Sequence, residues 1–310
     1  MKKLLWLVLL AFNCFAQAPS NYSSSAIEAS KSWIDVDYVG DGIIGHKLDI
    51  FLPKKGKGPF PVVVMVYGSA FFSNSSKASC FSGNNGQSLL KKGFAVVTIN
   101  HRSSRDAIWP AQIHDVKAAI RFIRANASQF SLDNSFIGIT GFSSGGHLST
   151  MAGVTSHSKN EKINGLEIDL EGNLGKYKET SSHVDAVVDF FGPTDFLLMD
   201  SCGSSMKHDD PNSPESTLVG GPIQENKDKV ALANPLSYVS AGDPPFLIFH
   251  GNKDPLVPHC QSEILYKKLQ ENDIESELVI VDGGGHGPGV MIDKYLDKMV
   301  DFFKSKIKTK

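Results

Sequence analysis

A chain of 310 residues with 41% hydrophobic and 21% charged residues has the composition of a globular protein with a sizeable core. This composition excludes a disordered chain and a protein embedded in a membrane. The net charge of -2, from 31 Lys plus Arg against 33 Asp plus Glu, offers no basic surface for a phosphate backbone, so no nucleic acid is expected as a partner.

The first predicted element is an export signal. Met1 is followed by two lysines, an apolar run over residues 4–12 and then small residues. We expect residues 1–16 to be a signal peptide, cleaved after Ala16 or Ala18, and the mature protein to be secreted or periplasmic. The run is too short to cross a bilayer and no later stretch reaches the roughly 20 apolar residues of a membrane-spanning helix, so no stable membrane insertion is expected.

Eight short runs of β-branched or apolar residues predict the strands of one sheet. They cover residues 33–39, 47–52, 61–67, 94–99, 136–140, 184–190, 246–250 and 277–281. The first two runs alternate apolar and polar residues, which is typical of antiparallel edge strands, whereas residues 62–66 and 246–249 are continuously apolar, which is typical of buried parallel strands. We therefore predict a mixed, mostly parallel eight-stranded sheet.

Helical periodicity separates the later strands. Apolar residues recur at helical spacing from Ile113 to Ile123, and residues 261–270 and 295–303 show a similar pattern. Alternation of strand and helix after residue 60 predicts a doubly wound α/β architecture with flanking helices, which we expect to form a single domain over residues 17–310. In such sheets ligands bind beyond the carboxyl ends of the strands, so the chemistry is expected in the loops there.

Two segments are too long to be simple connections: residues 155–183 and 199–234. Segments of this length in a compact domain are usually functional. We expect both to be insertions, the second of which shapes a small cap over the functional site. The alternative is a solvated excursion that makes no contact with a substrate.

A serine lies between a predicted strand and a predicted helix. Residues 141–145 read Gly-Phe-Ser-Ser-Gly, directly after the strand over residues 136–140 and before a helix-like stretch over residues 146–154. This arrangement is typical of a nucleophile elbow, in which glycines let the backbone approach its neighbours and the helix N-terminus stabilises developing negative charge. We predict that Ser143 is a catalytic nucleophile.

A serine hydroxyl needs a histidine base, and the base needs a carboxylate that orients it. His286 follows the last predicted strand in a glycine-rich loop over residues 282–287, which lets its ring reach the serine. Asp254 follows the strand over residues 246–250 in a loop stiffened by prolines. The resulting chain order of Ser143, Asp254 and His286 is the order that such a strand-turn-helix serine requires.

Other residues compete for both roles. A hydrogen-bonded structural role is expected for three histidines within or beside predicted elements: His101, His147 and His250. His259 remains as a rival base, and Asp282 remains as a rival carboxylate. For Asp254 itself the alternative is an Asx-turn or a helix cap.

Several stretches together are similar to one protein family. They are residues 61–68, 100–102, 109–121 and 191–195, the serine turn, and the loops that carry Asp254 and His286. Through them essentially the whole mature chain resembles the α/β-hydrolase superfamily of esterases and lipases, and within it bacterial feruloyl-esterase-like and acetyl-esterase-like members. The resemblance implies the α/β-hydrolase fold and a carboxylesterase that acts on acetyl or feruloyl esters of polysaccharides or on other short acyl esters.

One stretch departs from that superfamily. Its members normally carry His-Gly-Gly-Gly after the third strand, and the backbone N–H groups there form part of an oxyanion hole, whereas residues 67–71 of this chain read Tyr-Gly-Ser-Ala-Phe. Backbone donors survive a change of side chain when the turn is kept, so the resemblance implies donors at Ser69 and Ala70, with Ser144 as the third. The alternative is a rearranged loop and a hole that depends mainly on Ser144.

Three other functions stay open: a serine peptidase similar to prolyl oligopeptidases, a polyester hydrolase, and a binding module that keeps the fold without the chemistry. The sequence has no His-Glu-x-x-His or Cys-x-x-Cys pattern and no dinucleotide-binding pattern, so neither a metal nor a cofactor is expected. The expected partner is an ester substrate, and the sequence does not indicate an oligomeric state.

The cysteines allow one disulfide at most. With Cys14 in the export signal, Cys80, Cys202 and Cys260 remain, which is an odd number in an oxidising compartment. We expect a bond between Cys202 and Cys260, with three unpaired thiols as the alternative.

Overall fold

The computed structural model describes residues 27–308, so the predicted export signal and its cleavage positions lie outside the described residues. Ten strands are formed: β1 Ala29–Asp37, β2 Lys47–Pro53, β3 Phe60–Val66, β4 Ala95–Ile99, β5 Leu132–Phe142, β6 Asn160–Ile163, β7 Leu166–Asp169, β8 Ala186–Phe190, β9 Phe246–Gly251 and β10 Ser276–Val281. Eight of them form one sheet in the order β1-β2-β4-β3-β5-β8-β9-β10, and β6 and β7 form a separate hairpin.

The large sheet is mixed and mostly parallel, as predicted. β1 pairs with β2, and β2 with β4, in antiparallel fashion, whereas the pairs from β4 through β10 are parallel. One expectation was wrong, because β2 lies between β1 and β4 rather than at an edge. Its polar residue Asp49 is fully buried, where it lies 3.1 Å from Lys77 Nζ and accepts a hydrogen bond of 2.7 Å from the Asp35 N–H. The alternating pattern of this strand therefore reflects a buried charged pair and not a solvated face.

Seven α-helices accompany the sheet: α1 Asn85–Lys91, α2 Ala111–Ala125, α3 Ser144–Val154, α4 Pro214–Val219, α5 Lys227–Ala233, α6 Cys260–Glu271 and α7 Asp293–Lys306. Within the described residues no helix is both long and apolar enough to span a membrane.

Two hydrophobic cores lie on opposite faces of the sheet. Along β3, Val62, Val64 and Val66 belong to the core that includes α2, α3 and α6. Val63 and Met65 belong to the core that includes α1 and α7. Successive side chains of a strand point to opposite faces, so a strand covered on both faces has to be apolar at every position. This explains the continuous apolar run that the sequence shows over residues 62–66.

The segment over residues 155–183 is not a plain loop. It contains the β6–β7 hairpin, whose turn places Asn164 and Gly165 at φ values of 50° and 84°. Two positive φ values in a two-residue turn suit a hairpin, and Asn-Gly is the sequence signal for it. No strand was predicted in this segment, although the Asn-Gly pair is present in the sequence.

The segment over residues 199–234 contains α4 and α5 and lies beside the turn that follows β9. Ser205 N–H donates a hydrogen bond of 2.9 Å to the Pro255 carbonyl oxygen. A disulfide joins Cys202 to Cys260 at the start of α6, and Cys80 is buried and unpaired. The segment is therefore attached to the loop that carries Asp254.

Candidate active site

Ser143 lies at the sharp turn between β5 and α3. Its φ and ψ are 56° and -128°, a conformation that residues other than glycine rarely adopt and that costs about 1–3 kcal/mol. Its N–H donates a hydrogen bond of 2.9 Å to the carbonyl oxygen of Phe190 at the end of β8. The turn thus presents the serine hydroxyl at the carboxyl edge of the sheet.

Glycines beside the serine let three elements pack closely. A Cβ atom on Gly145 would lie 2.2 Å from the carbonyl oxygen of Val66 in β3, and one on Gly141 would lie 2.2 Å from the carbonyl oxygen of Gly145. Real Cβ atoms do not approach backbone so closely, so only glycine fits these two positions. The Gly-x-Ser-x-Gly pattern is therefore a packing requirement of the turn.

His286 lies in the loop between β10 and α7 and reaches back to the serine. Its Nε2 atom lies 3.0 Å from Ser143 Oγ, and its Nδ1 atom lies 2.7 Å from Asp254 Oδ2. The ring of Phe191 packs against the imidazole with centroids 4.6 Å apart. The structure thus brings together the three predicted residues from three separate loops in one hydrogen-bonded chain.

The Asp254 carboxylate has no exposed side-chain surface. Its Oδ1 atom accepts hydrogen bonds of 2.9 and 3.0 Å from the N–H groups of Leu256 and Val257, and His250 Nε2 lies 3.5 Å from Oδ2. Burial by itself would raise the pKa of Asp254, but hydrogen bonds from His250 and His286 outweigh it and hold that pKa well below its ordinary value. The Asp254 carboxylate is therefore ionised in the folded protein at pH values near neutrality.

The loop after β3 has an unusual backbone. Ala70 and Phe71 have φ values of 51° and 62°, and the Ser69 N–H donates a hydrogen bond of 2.9 Å to Ser144 Oγ. The sequence prediction treats Ser69 as an oxyanion donor, whereas this N–H is already directed to the neighbouring hydroxyl. Ala70 N–H and the N–H of Ser144, the first residue of α3, have no such bond among residues 27–308.

One family matches this chain over most of its length. The BD-FAE family model covers residues 48–269. The chain belongs to the BD-FAE family.

Curated relatives of this BD-FAE chain include two mycobacterial proteins. The chain is 31% identical over 216 residues to the probable carboxylic ester hydrolase LipM of Mycobacterium tuberculosis, and 28% identical over 239 residues to the esterase LipC of the same organism. The matches cover 69% and 74% of this chain but 46% and 53% of those proteins, so the chain spans about half the length of these relatives.

Solved structures give a fuller match. A truncated carbohydrate esterase from gut microbiota is 48% identical with a TM-score of 0.86, over 91% of this chain and 98% of that one. The bifunctional GH43-CE protein of Bacteroides eggerthii is 50% identical with a TM-score of 0.84, over 89% of this chain and 35% of that one. These matches confirm the resemblance to α/β-hydrolase esterases close to carbohydrate esterases.

The competing residues of this BD-FAE chain have other partners. Burial lowers the pKa of His147 to about 4, and its Nδ1 atom lies 2.9 Å from the Pro193 carbonyl oxygen. His259 is 41% exposed beside Glu263, and Asp282 accepts a hydrogen bond from Asn252.

Two contacts in and beside the proposed catalytic site were not predicted from the sequence. The first is His250, expected to be purely structural, which lies beside the Asp254 carboxylate. The second is the Ser144 hydroxyl, which holds the Ser69 N–H. Both contacts depend on side-chain orientation after folding, and no spacing in the sequence predicts them. Among the described residues, no group of three or more His, Cys, Asp or Glu side chains is arranged to hold a metal ion.

Proposed function

We propose that this BD-FAE chain is a serine carboxylic-ester hydrolase that works through an acyl-enzyme. The observation that carries the proposal is the continuous chain from Ser143 Oγ to His286 Nε2 at 3.0 Å and from His286 Nδ1 to Asp254 Oδ2 at 2.7 Å. These are the distances over which a base takes a hydroxyl proton and a carboxylate orients that base.

The first half of the reaction forms the acyl-enzyme. Ser143 Oγ attacks the ester carbonyl carbon while His286 Nε2 takes the hydroxyl proton, and the ionised Asp254 stabilises the resulting imidazolium. The tetrahedral intermediate collapses as His286 returns the proton to the leaving alcohol. In the second half, water attacks the acyl carbonyl, His286 takes its proton, and the Ser143 hydroxyl is regenerated with release of the acid.

The negative oxygen of each intermediate needs fixed donors. The Ser144 N–H at the start of α3 and the Ala70 N–H are the two donors we assign to it. The Ser69 N–H becomes a third donor only if it leaves the Ser144 hydroxyl, to which it is bonded at 2.9 Å. The backbone N–H groups of Ala70 and Ser144 are therefore the main donors that we assign to the oxyanion hole.

The proposed substrates are acetyl or feruloyl esters of polysaccharides, or other short acyl esters. Support comes from the two solved structures described as a carbohydrate esterase and a bifunctional GH43-CE protein, both about half identical to this chain. Export, proposed from residues 1–16, would place the enzyme where such polymers are found. The protein is expressed with its native leader, and the mass of the mature protein shows whether and where the leader is removed. This measurement tests that part of the proposal.

The decisive experiment compares Ser143→Ala with the native enzyme on p-nitrophenyl acetate, and Ser305→Ala, which changes an exposed serine of α7, is the matched control. We expect Ser143→Ala to lose ester turnover and labelling by a fluorophosphonate probe, while Ser305→Ala keeps both. An unlabelled native protein would instead identify a non-catalytic binding module.

A substrate panel separates the remaining alternatives. Acetylated xylan, methyl ferulate and p-nitrophenyl esters of rising acyl length report the ester preference, and a polyester film reports polyester hydrolysis. A chromogenic dipeptide amide tests the peptidase alternative. Turnover of the amide at a higher kcat/KM than any ester would overturn the assignment as an esterase.

A further inference from the structure

His208 is a buried histidine in the segment over residues 199–234 and is only 2% exposed. Its Nδ1 atom lies 2.9 Å from Oε2 of Glu215, a residue of α4 that is 3% exposed. Its Nε2 atom lies 3.0 Å from the Leu256 carbonyl oxygen and 3.1 Å from Ser204 Oγ. Both ring nitrogens therefore face oxygen acceptors in the protein interior.

The imidazolium form satisfies these contacts best. A carboxylate and a carbonyl oxygen only accept hydrogen bonds, and a neutral imidazole has a single N–H to donate. Burial by itself lowers the pKa of His208, but the hydrogen bond and charge of Glu215 outweigh burial and raise that pKa above its ordinary value. His208 and Glu215 thus form a buried ion pair, and removal of either charge leaves the other uncompensated.

This ion pair is joined to the proposed catalytic carboxylate through one peptide group, which links Leu256 to Val257. The Val257 N–H of that group donates a hydrogen bond of 3.0 Å to Asp254 Oδ1, and its Leu256 carbonyl oxygen accepts the bond from His208. Ser204 Oγ also donates to that carbonyl, at 2.7 Å. A continuous hydrogen-bonded path therefore runs from Glu215 in α4 to Asp254.

We propose that His208, as an imidazolium paired with Glu215, is a positioning residue that holds the peptide group between Leu256 and Val257, and with it the Asp254 carboxylate, in line with His286. This inference rests on the proposed function, because it assigns the buried pair a role in the same reaction. His208 touches neither Ser143 nor the site of the ester, so its effect is on kcat and not on KM.

Carboxylates dominate the charged surroundings of His208 and favour the imidazolium. Glu215 faces it from α4, and Asp200 accepts a hydrogen bond of 2.8 Å from its backbone N–H. Asp254 lies beyond the peptide group between Leu256 and Val257, with His250 of β9 on its far side. On the segment of His208 itself, Lys207 and Asp209 are exposed.

The direction of the pH effect follows from the raised pKa of His208. The hydrogen bonds by which protonated His208 positions the Asp254 turn are complete at pH values below about 6.5, the ordinary pKa of histidine. They are lost as pH rises through the raised pKa of His208 in the folded protein. Activity therefore declines on the alkaline side because of His208.

The test measures kcat and KM for ethyl acetate in a pH-stat between pH 5 and 10. We expect His208→Gln to lower kcat at pH 7 by about 10-fold to 100-fold, as for a slightly displaced catalytic group, with unchanged KM and without the alkaline decline. Glu215→Gln keeps the histidine and removes its carboxylate, so its alkaline decline moves to lower pH by about one unit or more. Far-UV circular dichroism at each pH confirms that every variant is folded.

An exposed histidine–glutamate pair provides the matched control. His259 Nε2 lies 3.7 Å from Glu263 Oε1, and the two side chains are 41% and 51% exposed. His259→Gln and Glu263→Gln are expected to keep the native pH profile. The inference is overturned if His208→Gln and Glu215→Gln also keep the native profile and the native kcat.

A second measurement does not depend on activity. Long-range ¹H–¹⁵N correlation spectra of the native protein identify the His208 ring by the signal that disappears in His208→Gln. We expect both ring nitrogens to be protonated at pH 7 and to titrate together with the alkaline decline, and a neutral ring at pH 7 would contradict the proposal. If Ser143→Ala keeps ester turnover, the proposed function itself fails; if only the His208 results fail, the esterase assignment stands.

Discussion

Ser143 combines a strained backbone with a hydroxyl that lies 3.0 Å from His286 Nε2. Its positive φ is kept by the hydrogen bond from its N–H to Phe190 and by the close approach that Gly141 and Gly145 permit. A strained residue persists only when the surrounding structure over-determines its conformation. Changes at the flanking glycines therefore act on the fold before they act on the chemistry.

Gly145→Ala is expected to destabilise the protein by about 3 kcal/mol, because its Cβ would lie 2.2 Å from the Val66 carbonyl oxygen of β3, a strand paired on both sides. Urea denaturation followed by tryptophan fluorescence measures the change. Gly285→Ala is the control, since its nearest neighbouring atom would be 4.0 Å away and its φ is not positive. Equal midpoints for the two variants would contradict this account.

Asp254→Asn is expected to reduce kcat for p-nitrophenyl acetate by about 10⁴-fold, because an amide no longer holds the correct tautomer of His286 or stabilises its protonated form. Steady-state kinetics at pH 7.5 measures the change. Asp282→Asn, which alters the exposed rival carboxylate, is expected to behave as the native enzyme. A comparable loss in both variants would remove the basis for choosing Asp254.

Among single residues, local sequence patterns predicted the three proposed catalytic residues but not the hydrogen bonds beside them. Glycine spacing at residues 141–145 and the loop positions of Asp254 and His286 are local patterns, and each predicts a role on its own. The bond between the Ser69 N–H and Ser144 Oγ joins residues 75 positions apart. It depends on a side-chain rotamer in the folded protein, which a local pattern does not encode.

At the scale of elements, the β6–β7 segment is held to α2 by buried charges. Lys117 and Arg121 are almost completely buried, and both pair with Glu171. Lys117 Nζ also donates a hydrogen bond of 2.7 Å to the Thr155 carbonyl oxygen. Two buried cations therefore depend on one carboxylate from the inserted segment.

Glu171→Ala is expected to destabilise the protein by about 3–5 kcal/mol, since it leaves two buried cations without their carboxylate. Limited proteolysis should then cleave within residues 155–183 before the rest of the chain. Glu179→Ala changes an exposed carboxylate of the same segment and is expected to have no effect on either measurement. Unchanged proteolysis of Glu171→Ala would show that hydrophobic contacts alone hold the segment.

Among the elements, the eight strands of the sheet were predicted correctly, but the position of β2 in the sheet was not. The eight strands of the sheet were predicted because their apolar runs report burial, which is a property of the residues themselves. The position of β2 was mistaken for an edge because the same alternation arises from a solvated face or from a buried pair such as Asp49 and Lys77. Only the partner, which lies 28 residues away along the chain, distinguishes the two.

At the scale of the whole molecule, the N-terminal strands are joined to α2 by a chain of charges. His46, which precedes β2, lies 2.7 Å from Asp41 and 3.2 Å from Asp115 of α2. Asp115 also accepts a hydrogen bond of 2.7 Å from Arg102. Burial by itself lowers the pKa of His46, but these carboxylates outweigh it and raise that pKa above its ordinary value.

His46→Gln is therefore expected to lower the free energy of unfolding by about 1–3 kcal/mol at pH 6, which lies below the ordinary pKa of histidine, so that the protonated ring contributes to stability. The raised pKa means that this contribution is lost as pH rises through the value in the folded protein, so the difference should shrink by pH 9. Urea denaturation at the two pH values measures it. A difference that grows with pH would contradict the assignment, and His259→Gln is the exposed control.

The sequence by itself determined the mixed α/β sheet, its covering helices and the three residues proposed for catalysis. Burial and turn conformation select residue types locally, so these features leave a readable periodicity or spacing. Tertiary structure alone decided that the Ser69 N–H is bound to Ser144 Oγ, that β2 is internal, and that Glu215 reaches Asp254 through His208 and the peptide group between Leu256 and Val257. These contacts join residues far apart in the chain, and their strength depends on burial and orientation that arise only when the chain has folded.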